Sequence, residues 1–352
     1  MPIPTLPGIT AKTITTSRLT TRVLFSGSES GIPVVFVHGN ASSATYWEDT
    51  MLALPAKYRA IAPDQRGYGD ADPNKKIDAT RGMGDFSDDL AALFDTLNIQ
   101  QAHVVGHSLG GSVVWQFMID YAPRILTVTV AAPGSPYGFC GSKGVDGIPC
   151  YDDFAGSGGG IVNPEFAKLM KAGERGTESQ TAPRTVMNNF YWKPPFKSDR
   201  EEELLTSLMS EHIGDREYPG DLTPSANWPN VAPGVWGPAN ALSPKYAGDV
   251  SRIYNISPKP PVLWIRGKDD QIVSDTSLFD LGFLGSIGAI PGWPGADVFP
   301  PQPMVGQVRA MLDKYKAAGG EYQEIVFDEC GHTPYIEKPN EFNAAFHQHI
   351  QR

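Results

Sequence analysis

A serine stands at the centre of a glycine-rich turn in this chain of 352 residues. Segment 106–110 reads Gly-His-Ser-Leu-Gly, and Gly111 follows it. The flanking residues predict a strand before the turn and a helix after it. In that context a sharp turn holds its central residue in a strained conformation between small neighbours. Ser108 would then lie at a helix N-terminus, where N–H groups favour an anion. The pattern predicts a serine nucleophile.

This strand, serine turn and helix resemble the α/β-hydrolase family, and the resemblance extends over most of the predicted core. The family order is nucleophile, acid, histidine. An acid follows a predicted strand in Gly-Lys-Asp-Asp-Gln-Ile-Val at 267–273, where the family spacing selects Asp270 over Asp269. His332 follows the last predicted strand and precedes the last predicted helix, which is the family position. The resemblance implies a Ser108–Asp270–His332 triad.

The roles in such a triad follow from the chemistry of the three side chains. A serine hydroxyl is a poor nucleophile until a base removes its proton. His332 would take that proton and later give it to the leaving group. Asp270 would hold the imidazole in the required tautomer and stabilise the imidazolium.

The segment His-Gly-Asn-Ala at 38–41 directly follows a predicted strand and resembles the family's His-Gly-x element. In the family, backbone N–H groups at this element and after the nucleophile form an oxyanion hole. The resemblance implies that the N–H groups of Leu109 and Asn40 donate to the oxyanion. Ala41 is the alternative for the second donor.

Two branches of the family place other residues at these positions. The His-Gly-Asn segment also resembles haloalkane dehalogenases, in which that asparagine helps to hold halide. Those enzymes and the related epoxide hydrolases need an aspartate nucleophile, so Ser108 argues against an alkyl-enzyme ester. Some relatives carry the acid after the strand at 125–131. Here the following loop, 133–135, reads Pro-Gly-Ser, and the missing carboxylate supports Asp270.

Alternating apolar strands and amphipathic helices surround these motifs. We predict a hairpin from 13–19 and 21–27, and further strands at 33–37, 58–63, 103–107, 125–131, 261–266 and 322–327. We predict helices around 90–97, at 109–121, near 304–318 and near 340–351. Strands that alternate with helices imply parallel βαβ units. The predicted fold class is therefore α/β, namely an α/β-hydrolase fold whose mostly parallel central sheet is flanked by helices.

The regular alternation stops between residues 136 and 258, a stretch rich in Gly, Pro, Trp and Tyr. We predict that residues 1–135 and 259–352 form the core and that residues 136–258 are an inserted cap, or lid. A second irregular stretch, 278–303, could line an entrance or pack over the sheet.

The aromatic residues of the predicted cap indicate either an apolar vestibule for substrate or the cap's own small core. We assign His107, Trp192 and Trp293 as candidate substrate-binding residues. His107 is the variable residue of the serine turn, and the two tryptophans lie in the irregular stretches.

The net charge and composition of the chain argue against some classes of binding partner. A net charge of −10 argues against binding to a phosphate backbone, which needs a basic face. No apolar run approaches the roughly 18 residues of a membrane span, and residues 1–20 lack the apolar centre of a signal peptide. We expect a cytoplasmic protein, with export by another route left open.

Three cysteines fit a reducing compartment. Cys140 and Cys150 could form a disulfide or remain free, and the spacing predicts no metal site.

We expect hydrolysis of a carboxylic ester or lactone through an acyl-enzyme, with no cofactor and a small, partly apolar substrate. Acyl transfer to another acceptor and hydrolysis of a carbon–carbon bond use the same triad and stay open. A ligand receptor that keeps the triad is the alternative from a different class. The sequence leaves the natural substrate, stereochemical preference and oligomeric state undetermined.

Overall fold

The structure, a computed structural model, describes residues 3–351. Eight strands form one central sheet: β1 (Thr10–Thr15), β2 (Thr20–Gly27), β3 (Ile32–Val37), β4 (Tyr58–Pro63), β5 (Ala102–His107), β6 (Ile125–Ala131), β7 (Val262–Gly267) and β8 (Tyr322–Phe327). Their order across the sheet is β1-β2-β4-β3-β5-β6-β7-β8. The pairings of β2 with β1 and β4 are antiparallel, and the others are parallel. The predicted α/β fold with a mostly parallel sheet is confirmed.

Apolar side chains cover both faces of the sheet. In β3, Val35 and Val37 belong to one hydrophobic cluster, whereas Val34 and Phe36 belong to a second one. Because successive side chains of a strand point to opposite faces, the two clusters lie on opposite sides of the sheet. Burial on both sides explains why β3 reads as an unbroken apolar run.

Helices complete the two outer layers. Their bounds are α1 (Glu48–Leu52), α2 (Gly84–Thr96), α3 (Leu109–Tyr121), α4 (Pro164–Ala172), α5 (Pro183–Val186), α6 (Glu201–Leu208), α7 (Pro238–Ala241), α8 (Ser251–Asn255), α9 (Leu281–Ser286), α10 (Met304–Ala317), α11 (Pro334–Glu337) and α12 (Pro339–His349). Side chains of α2, α3 and α10 join the first cluster, and those of α6 and α12 join the second. None of the described helices is long and apolar enough to cross a membrane.

The strand β1 differs from its prediction. It covers Thr10–Thr15 instead of 13–19, and a turn closed by the bond from Thr16 N–H to Leu19 O follows it. The side chains of β1 are mostly exposed, because it is an edge strand. A strand that buries no face has no apolar alternation to mark where it begins and ends.

Residues 136–258, here called the insertion, run between two strands that are neighbours in the sheet, β6 and β7. Their regular structure consists of α4 to α8, three short pairs of strands and single turns of other helices. The remainder is irregular, as expected for a stretch rich in glycine and proline. The insertion therefore leaves the order of the core strands unbroken.

All three cysteines are free thiols, which answers the question that spacing left open for Cys140 and Cys150. Cys140 Sγ donates to the carbonyl oxygen of Phe279 at 3.1 Å. Burial raises the pKa of all three thiols, and that of Cys150 reaches about 12. Near neutral pH they are therefore protonated and weakly nucleophilic.

Buried histidines make stability depend on pH, as His38 and His103 illustrate. Burial lowers the pKa of both His38 and His103 to about 4, whereas an unfolded chain holds such groups near 6.5. As the pH falls below 6.5, the unfolded state takes up protons that the folded state does not bind. We therefore expect the free energy of unfolding to be largest above about pH 6.5 and to decrease toward pH 4.

Urea denaturation at about pH 7 and about pH 5 measures this decrease, in a range where most carboxylates stay ionised. The variant His103→Gln lacks one of these histidines. It should lose less stability between the two pH values than the wild type loses. An equal loss would mean that His103 does not contribute.

Candidate active site

Ser108 lies at the turn between β5 and α3 in a backbone conformation that few residues adopt. Its φ is 52° and its ψ is −119°, and such strain costs about 1–3 kcal/mol. Ser108 N–H donates to Ala131 O at 3.1 Å, and Ser108 O accepts from the N–H groups of Gly111 and Gly134 at 2.9 and 3.1 Å. The surrounding backbone thus sustains the strain, which is typical of functional positions.

Two glycines allow backbone segments to come close to Ser108. A Cβ on Gly39 would lie 2.9 Å from His107 Nδ1 and 3.1 Å from Ser108 Cβ. A Cβ on Gly110 would overlap the carbonyl oxygen of Val37. The serine turn and the loop after β3 can therefore be neighbours only because both carry glycine at these points.

His332 and Asp270 form a buried pair just beyond the ends of β8 and β7. His332 Nδ1 lies 2.8 Å from Asp270 Oδ2, and both side chains are almost completely buried. Asp270 Oδ1 accepts from the N–H groups of Ile272 and Val273 at 2.8 and 3.0 Å. Because a carboxylate only accepts, the ring donates from Nδ1, which leaves Nε2 as the basic nitrogen.

Ser108 and His332 line the same cavity. Ser108 is half-buried, and its hydroxyl has no hydrogen-bond partner among residues 3–351. Catalytic hydrogen bonds are often long without substrate and shorten in the complex. Asp269 points elsewhere and pairs with Lys193 at 3.2 Å. The structure thus brings Ser108, His332 and Asp270 into one region and places Asp269 outside it.

His107, a predicted substrate-binding residue, also lines the cavity, but both of its ring nitrogens are engaged. Nε2 donates to His332 O at 2.9 Å, and Nδ1 accepts from the Tyr335 hydroxyl at 3.3 Å. Burial, followed by the nearby His332, lowers the pKa of His107 and keeps the ring neutral. The ring of His107 therefore borders the cavity and holds the backbone of His332, and its assignment to substrate binding stays a prediction.

Glu337 fixes the loop that carries His332, and no sequence pattern predicted it. Its carboxyl accepts from Gly331 N–H at 2.7 Å and from Lys193 N–H at 2.8 Å. Burial raises the pKa of Glu337. Its shortest hydrogen bonds come from backbone groups, which every residue carries, so sequence offers no spacing rule that would have identified it.

Two backbone N–H groups beside Ser108 are free to donate. Leu109 is the first residue of α3, where no acceptor exists within the helix. Asn40 lies in residues 38–41, here called the Asn40 loop. Within the described part of the chain neither N–H has an acceptor, and both residues line the cavity. Donors placed where negative charge develops stabilise an oxyanion.

Two tyrosine hydroxyls hold the Asn40 loop. Tyr68 donates to Asn40 Oδ1 at 2.7 Å, and Tyr191 donates to Ala41 O at 2.8 Å. Ala41 has a φ of 44°, so the loop turns sharply after Asn40. Ala41 N–H, the alternative donor, lies close to the Glu211 carboxyl without a hydrogen bond at full geometry. We therefore prefer Asn40 N–H as the second donor and keep Ala41 N–H as the alternative.

The cavity beside Ser108 has a volume of about 430 Å³. Its apolar lining comes from the core, from the insertion and from segment 278–303, as Ile272, Phe166 and Leu284 illustrate. No aspartate, glutamate, lysine or arginine belongs to the lining that the structure describes. Such a cavity accommodates an apolar, uncharged group of small to medium size.

The predicted assignment of Trp192 and Trp293 to substrate binding is corrected, because neither lines this cavity. Trp192 is buried in the second hydrophobic cluster, where its ring centroid lies 5.8 Å from that of Phe196. Trp293 packs over Gly285 and donates from Nε1 to Phe299 O at 2.9 Å. Composition located the segments but could not give the direction of each ring in irregular structure.

Other aromatic residues of the insertion divide between the cavity lining, as predicted for a substrate vestibule, and packing elsewhere. Phe139, Phe190 and Tyr191 line the cavity. Trp228 and Trp236 lie outside the lining. Trp236 packs against Arg216 within the insertion, whereas Trp228 packs against Phe299 of segment 278–303.

Residues 34–345 match the model of a family described as the alpha/beta hydrolase family. This chain belongs to that family. The match includes the serine turn and the segments that carry Asp270 and His332. Hydrolase chemistry is therefore supported by membership as well as by the geometry at Ser108.

One relative of this α/β hydrolase is named a carboxylesterase. An uncharacterized carboxylesterase of Bacillus subtilis is 26% identical over 207 residues, or 54% of this chain and 67% of that protein. For two further curated relatives the match spans less than half of their length, 46% and 47%.

Two solved structures share the fold. A serine hydrolase from Cycloclasticus zankles has a TM-score of 0.62 and 17% identity, with 98% of each chain covered. The 2-hydroxy-6-oxo-6-phenylhexa-2,4-dienoate hydrolase of Rhodococcus sp. strain RHA1 has a TM-score of 0.59 and 16% identity, with 98% of this chain and 99% of that chain covered.

Proposed function

We propose that this α/β hydrolase cleaves carboxylic esters, including lactones, through an acyl-enzyme on Ser108. The observation that carries the proposal is the buried Asp270–His332 pair, because it leaves a basic nitrogen on a residue that shares a cavity with the strained serine. The free N–H groups of Leu109 and Asn40 supply the expected electrostatic stabilisation. The carboxylesterase description of a relative supports the same chemistry.

The proposed reaction has two halves. His332 Nε2 removes the Ser108 proton while Oγ attacks the carbonyl carbon, and Asp270 stabilises the imidazolium. The resulting oxyanion accepts from the N–H groups of Leu109 and Asn40. Its collapse releases the alcohol, which takes its proton from His332. Water then attacks the acyl-enzyme by the same sequence, releases the acid and regenerates the Ser108 hydroxyl.

We also propose that residues 136–258 act as a cap on a core of residues 1–135 and 259–352. The insertion leaves and rejoins the chain at neighbouring strands, and it contributes Phe166 and Phe190 to the cavity. A cap of this kind would select substrates while the core performs the chemistry.

The uncharged lining predicts a preference for neutral acyl chains. Burying a carboxylate without a cationic partner costs several kcal/mol. We therefore expect kcat/KM for the p-nitrophenyl half-ester of adipic acid to be about a hundredfold below that for p-nitrophenyl hexanoate. The matching ester with a terminal carboxamide controls for chain size and should lie between the two. Equal values for the charged and neutral chains would contradict the proposed substrate class.

A substrate panel tests the reaction itself. Purified wild-type protein should hydrolyse p-nitrophenyl esters or lactones of at least one chain length. Turnover of a vinylogous diketone, with no turnover of any ester or lactone, would assign the site to carbon–carbon hydrolysis instead. Product formed only with an added alcohol acceptor would assign it to acyl transfer.

A further inference from the structure

A short stretch of the insertion is hydrogen-bonded to a tight turn of the core. Gly69 N–H donates to Ser210 O at 3.1 Å, and His212 N–H donates to Gly67 O at 2.9 Å. We call these two bonded segments the clasp. In one bond the core turn is the donor, and in the other the insertion is the donor. The two bonds flank the middle residue of each segment, so these two middle residues lie opposite each other.

Those middle residues are Tyr68 and Glu211, and both are buried. Tyr68 is fully buried, and Glu211 is 4% exposed. Neither carboxyl oxygen of Glu211 has a partner at full hydrogen-bonding geometry within residues 3–351. The Tyr68 hydroxyl and Ala41 N–H lie close to the carboxyl. Because Tyr68 donates to Asn40 Oδ1, a polar path runs from the insertion to the Asn40 loop.

The surroundings of Glu211 indicate that it is a neutral acid. Its titratable neighbours are the phenols of Tyr68, Tyr191 and Tyr218. Among residues 3–351, no lysine or arginine shifts the pKa of Glu211. Burial raises the pKa of Glu211 well above its usual range. A neutral carboxyl has one O–H to donate, and the Tyr68 oxygen can accept it because the phenol's own proton goes to Asn40.

We propose that Glu211 is a positioning residue for the hydrolysis proposed above: its carboxyl orients Tyr68, and Tyr68 fixes Asn40, whose N–H donates to the oxyanion. The inference rests on the proposed function, since it assigns a role within that reaction. An oxyanion exists only in the transition state and the tetrahedral intermediate. Misplacing its donor therefore lowers kcat and leaves substrate binding nearly unchanged.

Three variants test the path, with p-nitrophenyl butyrate as the probe. Glu211→Leu and Tyr68→Phe should each lower kcat by about tenfold or more while KM changes less than about twofold. Glu211→Gln is neutral and keeps a donor and an acceptor, so kcat should stay within about threefold of wild type. Glu202→Leu, an exposed acid of the insertion, is the matched control and should leave both constants unchanged.

The double variant Glu211→Leu/Tyr68→Phe decides whether the two residues act together. If the two residues act through one path, kcat of the double variant should be no lower than kcat of the less active single variant. If the fold-losses in kcat of the two single variants multiply in the double variant, the two residues act separately and the proposal is wrong. A folded Glu211→Leu protein with the kcat of the wild type would also overturn it. A loss in Glu211→Gln as large as in Glu211→Leu would overturn the neutral role. If wild-type protein hydrolyses no ester, the proposed function fails, whereas unchanged variants of an active wild type refute only this inference.

Discussion

Ester turnover by Ser108→Ala is expected to fall about a millionfold below that of the wild type. Alanine leaves no oxygen for His332 to deprotonate, so only the cavity and the N–H donors remain to assist attack by water. The substitution removes one atom from a half-buried position and keeps a Cβ there, so the strained turn should persist. Hydrolysis of p-nitrophenyl butyrate, followed at high enzyme concentration, measures the loss.

A fluorophosphonate probe gives an independent measurement, because it reacts covalently with an activated serine. Wild-type protein should be labelled rapidly and Ser108→Ala should not be labelled. Ser112→Ala is the matched control, since Ser112 is a buried serine one turn further along α3. Labelling that survives in Ser108→Ala would show that another residue is the nucleophile.

The variant Asp270→Asn should retain the fold but lose about ten-thousandfold in turnover. The asparagine oxygen can keep the two bonds from Ile272 N–H and Val273 N–H. Its amide group then faces His332 Nδ1 and donates to it, which moves the ring proton to Nε2. In that tautomer His332 cannot accept the Ser108 proton, so the general base is lost.

The neighbouring acid provides the control for this second prediction. Asp269 is 36% exposed and pairs with Lys193, and exposed ion pairs contribute little. Asp269→Asn should therefore keep turnover within about twofold of the wild type. If Asp269→Asn is inactive and Asp270→Asn is active, the acid of the proposed triad must be reassigned.

The elements next to Ser108 could be predicted almost to the residue. The helix α3 runs from Leu109 to Tyr121, and β6 covers Ile125–Ala131, as the sequence indicates. Turn glycines mark the start of α3, Pro123 prevents it from continuing, and β6 is an apolar run because it is buried on both faces. The positions of Asp270 and His332 after β7 and β8 follow from the same alternation.

Features that depend on side-chain direction or on backbone partners could not be predicted. The rings of Trp192 and Trp293 lie in irregular segments, which have no period to indicate a buried face. Glu337 accepts from backbone N–H groups, and Glu211 lies close to a backbone N–H and a phenol. Only the folded chain brings these groups together. Local pattern predicts elements well because each element follows its own sequence, whereas these contacts join segments far apart along the chain.

The low reactivity of the native thiols makes it possible to follow substrate binding in the cavity with an introduced cysteine. Because burial keeps Cys140, Cys150 and Cys330 protonated at neutral pH, mild alkylating reagents should leave them unmodified. Ile287 is 56% exposed and directly follows α9, whose Leu284 lines the cavity. A single Ile287→Cys substitution would therefore accept a fluorophore at one defined position. Such a reporter would follow the arrival of a substrate in real time, without removing any native cysteine.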